Sequence, residues 1–208
     1  MAMNVFVSST FGDLEAHRAA VIDMLHQTNN LPLAMETFGS KPGDAETVSL
    51  DEVRKADLFI GIYGNRYGYR PDDDKSVTEL EYLEAVKNDI PRLVFIVEEE
   101  YTDPASPINQ HAETDEEGIM LLNIFKRKLN RENVRATFNT PQDLVQKVQN
   151  AIMNWLQDKL DAAEQTSQSS PTGSTTQINA DKIGNVFSGP VSGPINIDQS
   201  GFFDDDDD

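Results

Sequence analysis

Asp57–Tyr63 reads DLFIGIY, and Gly64–Arg70 continues it as GNRYGYR. After Asp57 the six residues Leu58–Tyr63 are apolar and β-prone without polar alternation, the pattern of a strand buried on both faces, which is how parallel sheets read. The glycine-, tyrosine- and arginine-rich run that follows predicts a loop at the strand's carboxyl end. Glycine admits close approach, aromatic rings stack on bases and arginine binds phosphate. A turn pinned by tyrosine packing explains the same residues.

Outward from this strand the chain alternates. Asn4–Ser8 (NVFVS) predicts the first strand, and a helix from near Asp13 to Asn29-Asn30 follows it. Leu31–Thr37 predicts the second strand, and Val48–Ala56 a short helix. After the loop Gly64–Lys75, a helix opens near Ser76 and runs through TELEYLEAVKND. Arg92–Val97 is the fourth strand. Glu98–Glu117, acidic and proline-containing, reads as a loop or lid. Gly118–Asn130 is an amphipathic helix, Val134–Phe138 the fifth strand, and Pro141–Ala163 the last helix, with Pro141 suited to its first turn. Five alternations predict an α/β domain with a parallel sheet and helices on both faces; the form expected is flavodoxin-like, with five strands in the order 2-1-3-4-5. Ligands then bind beyond the carboxyl ends of strands one and three, where strand order reverses.

The domain is expected to span residues 1–163. Residues 164–177 are rich in Ser, Thr and Gln and read as a flexible linker. Residues 178–203 carry short β-prone bursts between Gly and Pro, and they repeat: Ile178–Asp181 (INAD) is echoed by Ile195–Asp198 (INID), and Ser188-Gly189-Pro190 by Ser192-Gly193-Pro194. Two repeats bury little alone, so stacking needs other copies; the expectations are an oligomerisation segment giving a homo-oligomer or filament, a handle for a partner protein, or a tail with chance repetition. Asp204–Asp208 form an acidic tail, either solvating or docking on a basic partner.

Composition limits the functions. The 208 residues carry a formal net charge of −19, which opposes phosphate neutralisation and makes nucleic acid an unexpected partner. There is no cysteine, and the three histidines (His17, His26, His111) stand at no zinc-ligand spacing, so no metal site is expected. No apolar run reaches the length of a membrane span, and no basic and apolar leader opens the chain, so the expected location is the cytoplasm. The glycine fingerprint of dinucleotide folds, the P-loop lysine and the nucleophile elbow are all missing.

The candidate site residues sit at the expected switch point. Ser8, Ser9 and Thr10 precede a helix and either cap it or receive a phosphate. Tyr63, Gly64, Arg66 and Tyr67 lie in the third strand and its loop. Glu79 and Glu81 open the next helix, two apart and thus on different faces; a carboxylate there holds ribose hydroxyls or steadies an oxocarbenium-like centre, or simply answers the helix dipole.

The motifs VFVSSTFGDLEAHR (5–18), ADLFIGIYGNRYGY (56–69) and SVTELEYLEA (76–85), over roughly residues 3–100, closely resemble the family catalogued as domain of unknown function 4062. The resemblance implies a TIR-like fold related to nucleoside 2-deoxyribosyltransferases, in chains often fused to NTPase or repeat modules of immune-type proteins. It implies a glutamate, on the helix after the third strand, that acts at the ribosyl anomeric carbon. The deoxyribosyltransferase pattern places that glutamate four residues before an alanine, which selects Glu81 before Ala85, with Glu79 the competitor. Three functions follow: an effector of prokaryotic anti-phage defence that hydrolyses the N-glycosidic bond of NAD, with NAD as substrate and no cofactor, completed by assembly or partner recruitment; a non-catalytic adaptor that assembles through its tail; and a nucleoside deoxyribosyltransferase. The acidic stretches Asp72–Asp74 and Glu98–Glu100 weigh toward the second and third.

Overall fold

A computed structural model of the chain describes residues 2–37, 44–71 and 75–168. The strands are β1 (Asn4–Ser8), β2 (Leu31–Leu33), β3 (Leu58–Tyr63), β4 (Arg92–Val97) and β5 (Arg135–Phe138). The helices are α1 (Glu15–Gln27), α2 (Ala45–Val53), α3 (Val77–Lys87), α4 (Pro107–Gln110), α5 (Glu116–Glu132) and α6 (Pro141–Gln168). All strand pairs are parallel, in the order β2-β1-β3-β4-β5. The α/β fold is therefore the one the alternation predicts.

Period-two alternation sends neighbouring strand residues to opposite faces. Val5, Val7, Leu58, Ile60 and Ile62 pack with Leu25 of α1 and Leu144 and Val148 of α6. Phe6, Phe59, Tyr63 and Val94 pack on the other face with Val53 of α2, Tyr82 of α3 and Phe125 of α5. Helices thus cover both faces of the sheet, and burial on both sides is why the central strands read as unbroken apolar runs.

Several boundaries differ from expectation. The second strand ends at Leu33, and Met35–Thr37 form a 3-10 turn in place of its second half. Thr37 is responsible: its Oγ1 accepts from the Ala34 amide at 3.0 Å and donates to the Ala34 carbonyl at 2.8 Å, giving the backbone a local alternative to the ladder. The second helix starts earlier, at Ala45, because Asp44 caps it by accepting from the Thr47 amide at 2.8 Å. The expected Ser/Thr cap of α1 does not form: Leu14 occupies the cap position without a side-chain bond, and Thr10 donates instead to Asp13 Oδ1 at 2.6 Å.

Glu98–Glu117 is more than a bare loop. It contains α4, whose Ile108 is fully buried, and it is tied to the β3–α3 loop by the bond from the Glu113 amide to the Asn65 carbonyl at 2.8 Å. The last helix continues past Ala163 to Gln168, so residues 164–168 of the expected linker are helical. The remainder of that linker, the repeated segment 178–203, the acidic tail 204–208 and the Asp72–Asp74 stretch lie outside the described residues. Among the described residues no helix is long and apolar enough to cross a membrane.

Candidate active site

β1 and β3 lie side by side at the centre of the sheet, with Ser8 opposite Gly61. Beyond their carboxyl ends opens a cleft of about 960 Å³. Of the expected site residues, Ser9, Thr10, Arg66 and Glu81 line it. Its walls also include Tyr69, from the aromatic run after the third strand, and Phe11, Arg18, Met35 and Glu36, which the sequence pattern did not single out as ligand-binding.

Glu81 reaches the cleft from the second turn of α3, yet only 4% of it is exposed. Ser8 at the end of β1 donates to its Oε2 at 2.5 Å, and Ser49 of α2 donates to its Oε1 at 2.5 Å. Burial pushes the Glu81 carboxyl above its ordinary value; the Ser49 and Ser8 bonds and the Arg18 charge pull the other way. An ionised carboxylate has about four acceptor positions, so two serines leave capacity for a ligand.

Glu79 points elsewhere. Residues two apart on a helix stand roughly 200° apart around the axis. Glu79 accepts from the Tyr67 hydroxyl at 2.7 Å and is not among the cleft-lining residues. Burial first, and Glu79 second, push the Tyr67 hydroxyl up to about 12.

Tyr63 and Tyr67 stand behind the cleft, each almost wholly buried. The Tyr63 ring meets Phe125 edge-on at 5.1 Å and lies over Gly61, where a Cβ would fall 2.4 Å from its hydroxyl. Burial and the nearby Glu81 charge keep that hydroxyl protonated far into the basic range. The aromatic faces that open on the cleft belong to Phe11, 53% exposed, and Tyr69, 74% exposed. Gly64 is buried against Asp13, whose Oδ2 would sit 2.4 Å from a Cβ there. Gly68 has φ +99°, a backbone that β-carbon-bearing residues seldom adopt.

Arg18 organises the β1–α1 side. Only 3% of its side chain is exposed. Its Nε and Nη2 hold the two oxygens of Glu36 at 2.8 and 2.7 Å, and its Nη1 donates to Ser9 Oγ at 2.8 Å. Partial burial opposes ionisation of Glu36, but the Arg18 bonds and charge outweigh it and hold that carboxyl below its ordinary value. Arg66 is different. It is exposed in the cleft, its Nη1 would lie 3.3 Å from a Cβ on Gly12, and it forms no ion pair with the described residues. Glu98 does not approach: it accepts from Thr137 and Asn139 on the β5 side.

No curated protein matches the chain significantly in sequence. Among solved structures, the chain is similar to the Clostridium botulinum CMP N-glycosidase BcmB, at 14% identity and a TM-score of 0.41, covering 71% of this chain and 98% of that one. The family model described as Domain of unknown function (DUF4062) matches residues 4–153, which takes in the whole sheet and the site at its switch point, and the chain belongs to that family.

Proposed function

We propose that the chain hydrolyses the N-glycosidic bond of NAD, with Glu81 acting at the ribose. The observation that supports this most is the Glu81 carboxyl itself: buried, fixed by a serine on each oxygen, and lining a cleft of about 960 Å³. That size is in the range of small-molecule sites, roughly 300–1,000 Å³.

The chemistry asks little of a general acid. The C1′–N bond breaks toward the pyridinium nitrogen, which leaves as neutral nicotinamide and puts positive charge on the ribose. The Glu81 carboxylate stabilises that charge. Water adds to C1′ and releases a proton, giving ADP-ribose. Ser8 and Ser49 orient the carboxylate and counter the effect of burial, which favours its neutral form. Arg66 supplies a cation for the diphosphate, and Phe11 and Tyr69 supply exposed rings on which a base stacks. The same reading places the activity in prokaryotic anti-phage defence and makes it conditional on self-assembly, or on a partner protein that engages residues 178–203.

Incubating the assembled full-length chain with NAD tests the proposal. Nicotinamide and ADP-ribose are expected from the wild type, with release falling about 100-fold or more in Glu81→Gln. Undiminished release from Glu81→Gln removes Glu81 from the chemistry. No release from the assembled chain points to the adaptor, and base exchange on deoxynucleosides without NAD points to the transferase.

A further inference from the structure

We infer that Glu113, in the connection between α4 and α5, is a positioning residue that aims Arg66 at the phosphates of the ligand and so sets the preference of the cleft for phosphate-bearing substrates. The inference rests on the reading of Arg66 as the cation that receives the diphosphate. Glu113 grips the chain on both sides of that arginine. Its backbone amide donates to the Asn65 carbonyl at 2.8 Å, and its Oε2 accepts from the Tyr67 amide at 3.3 Å. The first bond holds the peptide unit that enters the Arg66 Cα, and the second holds the unit that leaves it. A planar peptide leaves each residue only two soft torsions. One partner residue therefore fixes both torsions of Arg66, and with them the direction in which its side chain leaves the loop.

The grip is itself braced. The Glu113 stem lies on Gly118 in the first turn of α5, where a Cβ would stand 2.8 Å from its Cγ and Cδ. Lys126 of α5 donates to Asn65 Oδ1 at 3.1 Å on the entering side of Arg66. On the leaving side the Tyr67 ring is buried, with its hydroxyl donating to Glu79 at 2.7 Å. Arg66, between them, is exposed and lines the cleft. An arginine on a backbone held in this way has less freedom to lose when it closes on a phosphate, and its planar fork depends on the direction of approach. Charge does not account for the arrangement, because a carboxylate behind Arg66 in a chain of net charge −19 opposes an anionic ligand. What Glu113 contributes is an acceptor at a fixed place. Loss of that acceptor and loss of the charge therefore act on anion binding with opposite signs.

The test uses the full-length chain, with ADP-ribose as the ligand in titration calorimetry, so that it does not depend on turnover. Glu113→Ala is expected to bind about fivefold more weakly than the wild type, on the order of one lost hydrogen bond. Glu113→Gln keeps an acceptor and drops the charge, so it should bind no more weakly than the wild type. Glu113→Ala combined with Arg66→Ala should bind no more weakly than Arg66→Ala alone, because a residue that acts through Arg66 adds nothing once Arg66 is gone. In turnover, Glu113→Ala should raise the KM for NAD by a similar factor with kcat little changed, and should leave nicotinamide riboside, which carries no phosphate, unaffected. Additive losses in the double variant, or an equal loss on nicotinamide riboside, would make the role of Glu113 merely structural and overturn the inference. If Arg66→Ala weakens ADP-ribose binding and Glu113→Ala does not, this inference alone falls. If the wild type binds no ADP-ribose, or binds it no better than Arg66→Ala does, the diphosphate reading of Arg66 falls and takes the inference with it.

Discussion

The Ser49 hydroxyl lies 2.5 Å from Glu81 Oε1, joining the middle of α2 to the second turn of α3 at the inner wall of the cleft. The bond favours the charged carboxylate and so opposes burial, which raises the Glu81 proton affinity. Ser49→Ala removes that opposition. The Glu81 carboxyl is then expected to titrate at higher pH than in the wild type, read as a displaced carbon-13 resonance of its carboxyl group. If cleavage of NAD requires the carboxylate, the acid limb of the pH–rate profile moves upward with it.

Stability should carry the same signature. In the folded chain Glu81 binds its proton more tightly than at its ordinary value of 4.5, so between 4.5 and the raised value the folded state holds more protons than the unfolded one. Stability therefore falls as pH rises through that window and levels off above it. Glu36 behaves oppositely: held below 4.5 by Arg18, it contributes stability that is lost as pH falls through its folded value. Glu81→Gln is expected to gain on the wild type progressively above pH 4.5, measured as urea midpoints across the pH range. An unchanged difference would mean that Glu81 titrates normally.

These pairings show where sequence reading ends. β1, β3 and β4 were legible because burial on both faces leaves uninterrupted apolar runs, and their parallel pairing follows from the alternation with helices. Glu79 and Glu81 could be separated in direction from helical geometry alone. Ser49 could not be found, because its role depends on how α2 packs beside α3, and nothing within its own helix marks it. Arg18 and Glu36 likewise meet only through the sheet. The shortened second strand was hidden by Thr37, whose side chain competes locally with the ladder. For the tyrosines after the third strand, composition leaves stacking on a ligand and packing in a turn equally open; Tyr63 and Tyr67 pack behind the cleft, while Tyr69 of the same run faces it together with Phe11.

Gly61 permits the Tyr63 ring to lie where it does. A Cβ at Gly61 would stand 2.4 Å from the Tyr63 hydroxyl and 2.6 Å from its Cε2, and Phe125 blocks retreat of the ring. Gly61→Ala is expected to cost about 1–3 kcal/mol, as overpacking does, read by denaturant unfolding. Tyr63→Phe removes the nearest colliding atom, so the double variant should recover part of that loss. A Gly61→Ala protein as stable as the wild type would show that the ring has room to move.

Arg18 is predicted to be irreplaceable by lysine. Its fork holds both oxygens of Glu36 and reaches Ser9, and a lysine ammonium presents one compact charge to the same partners. Arg18→Met should destabilise by about 2–3 kcal/mol, below the range of a fully buried pair because Glu36 retains 35% exposure and is partly rehydrated. Arg18→Lys should recover less than half of that. Full recovery by lysine would reduce the role of Arg18 to its charge.

Arg66 should separate binding from folding. It is exposed, it lines the cleft, and among the described residues it makes no ion pair; its charge acts on the nearby buried Asp13 carboxyl without a direct bond. In a chain of net charge −19 an arginine facing a cleft meets a background that repels anions, and it therefore governs whether a phosphate-bearing ligand stays. Arg66→Ala is expected to leave the unfolding midpoint within about 0.5 kcal/mol of wild type. It should raise the KM for NAD about tenfold while changing kcat little, the pattern of lost binding that ground and transition states share. Arg66→Lys keeps the charge and loses the fork, so it should fall between the two. If kcat collapses while KM holds, Arg66 acts on the transition state and the diphosphate is bound elsewhere.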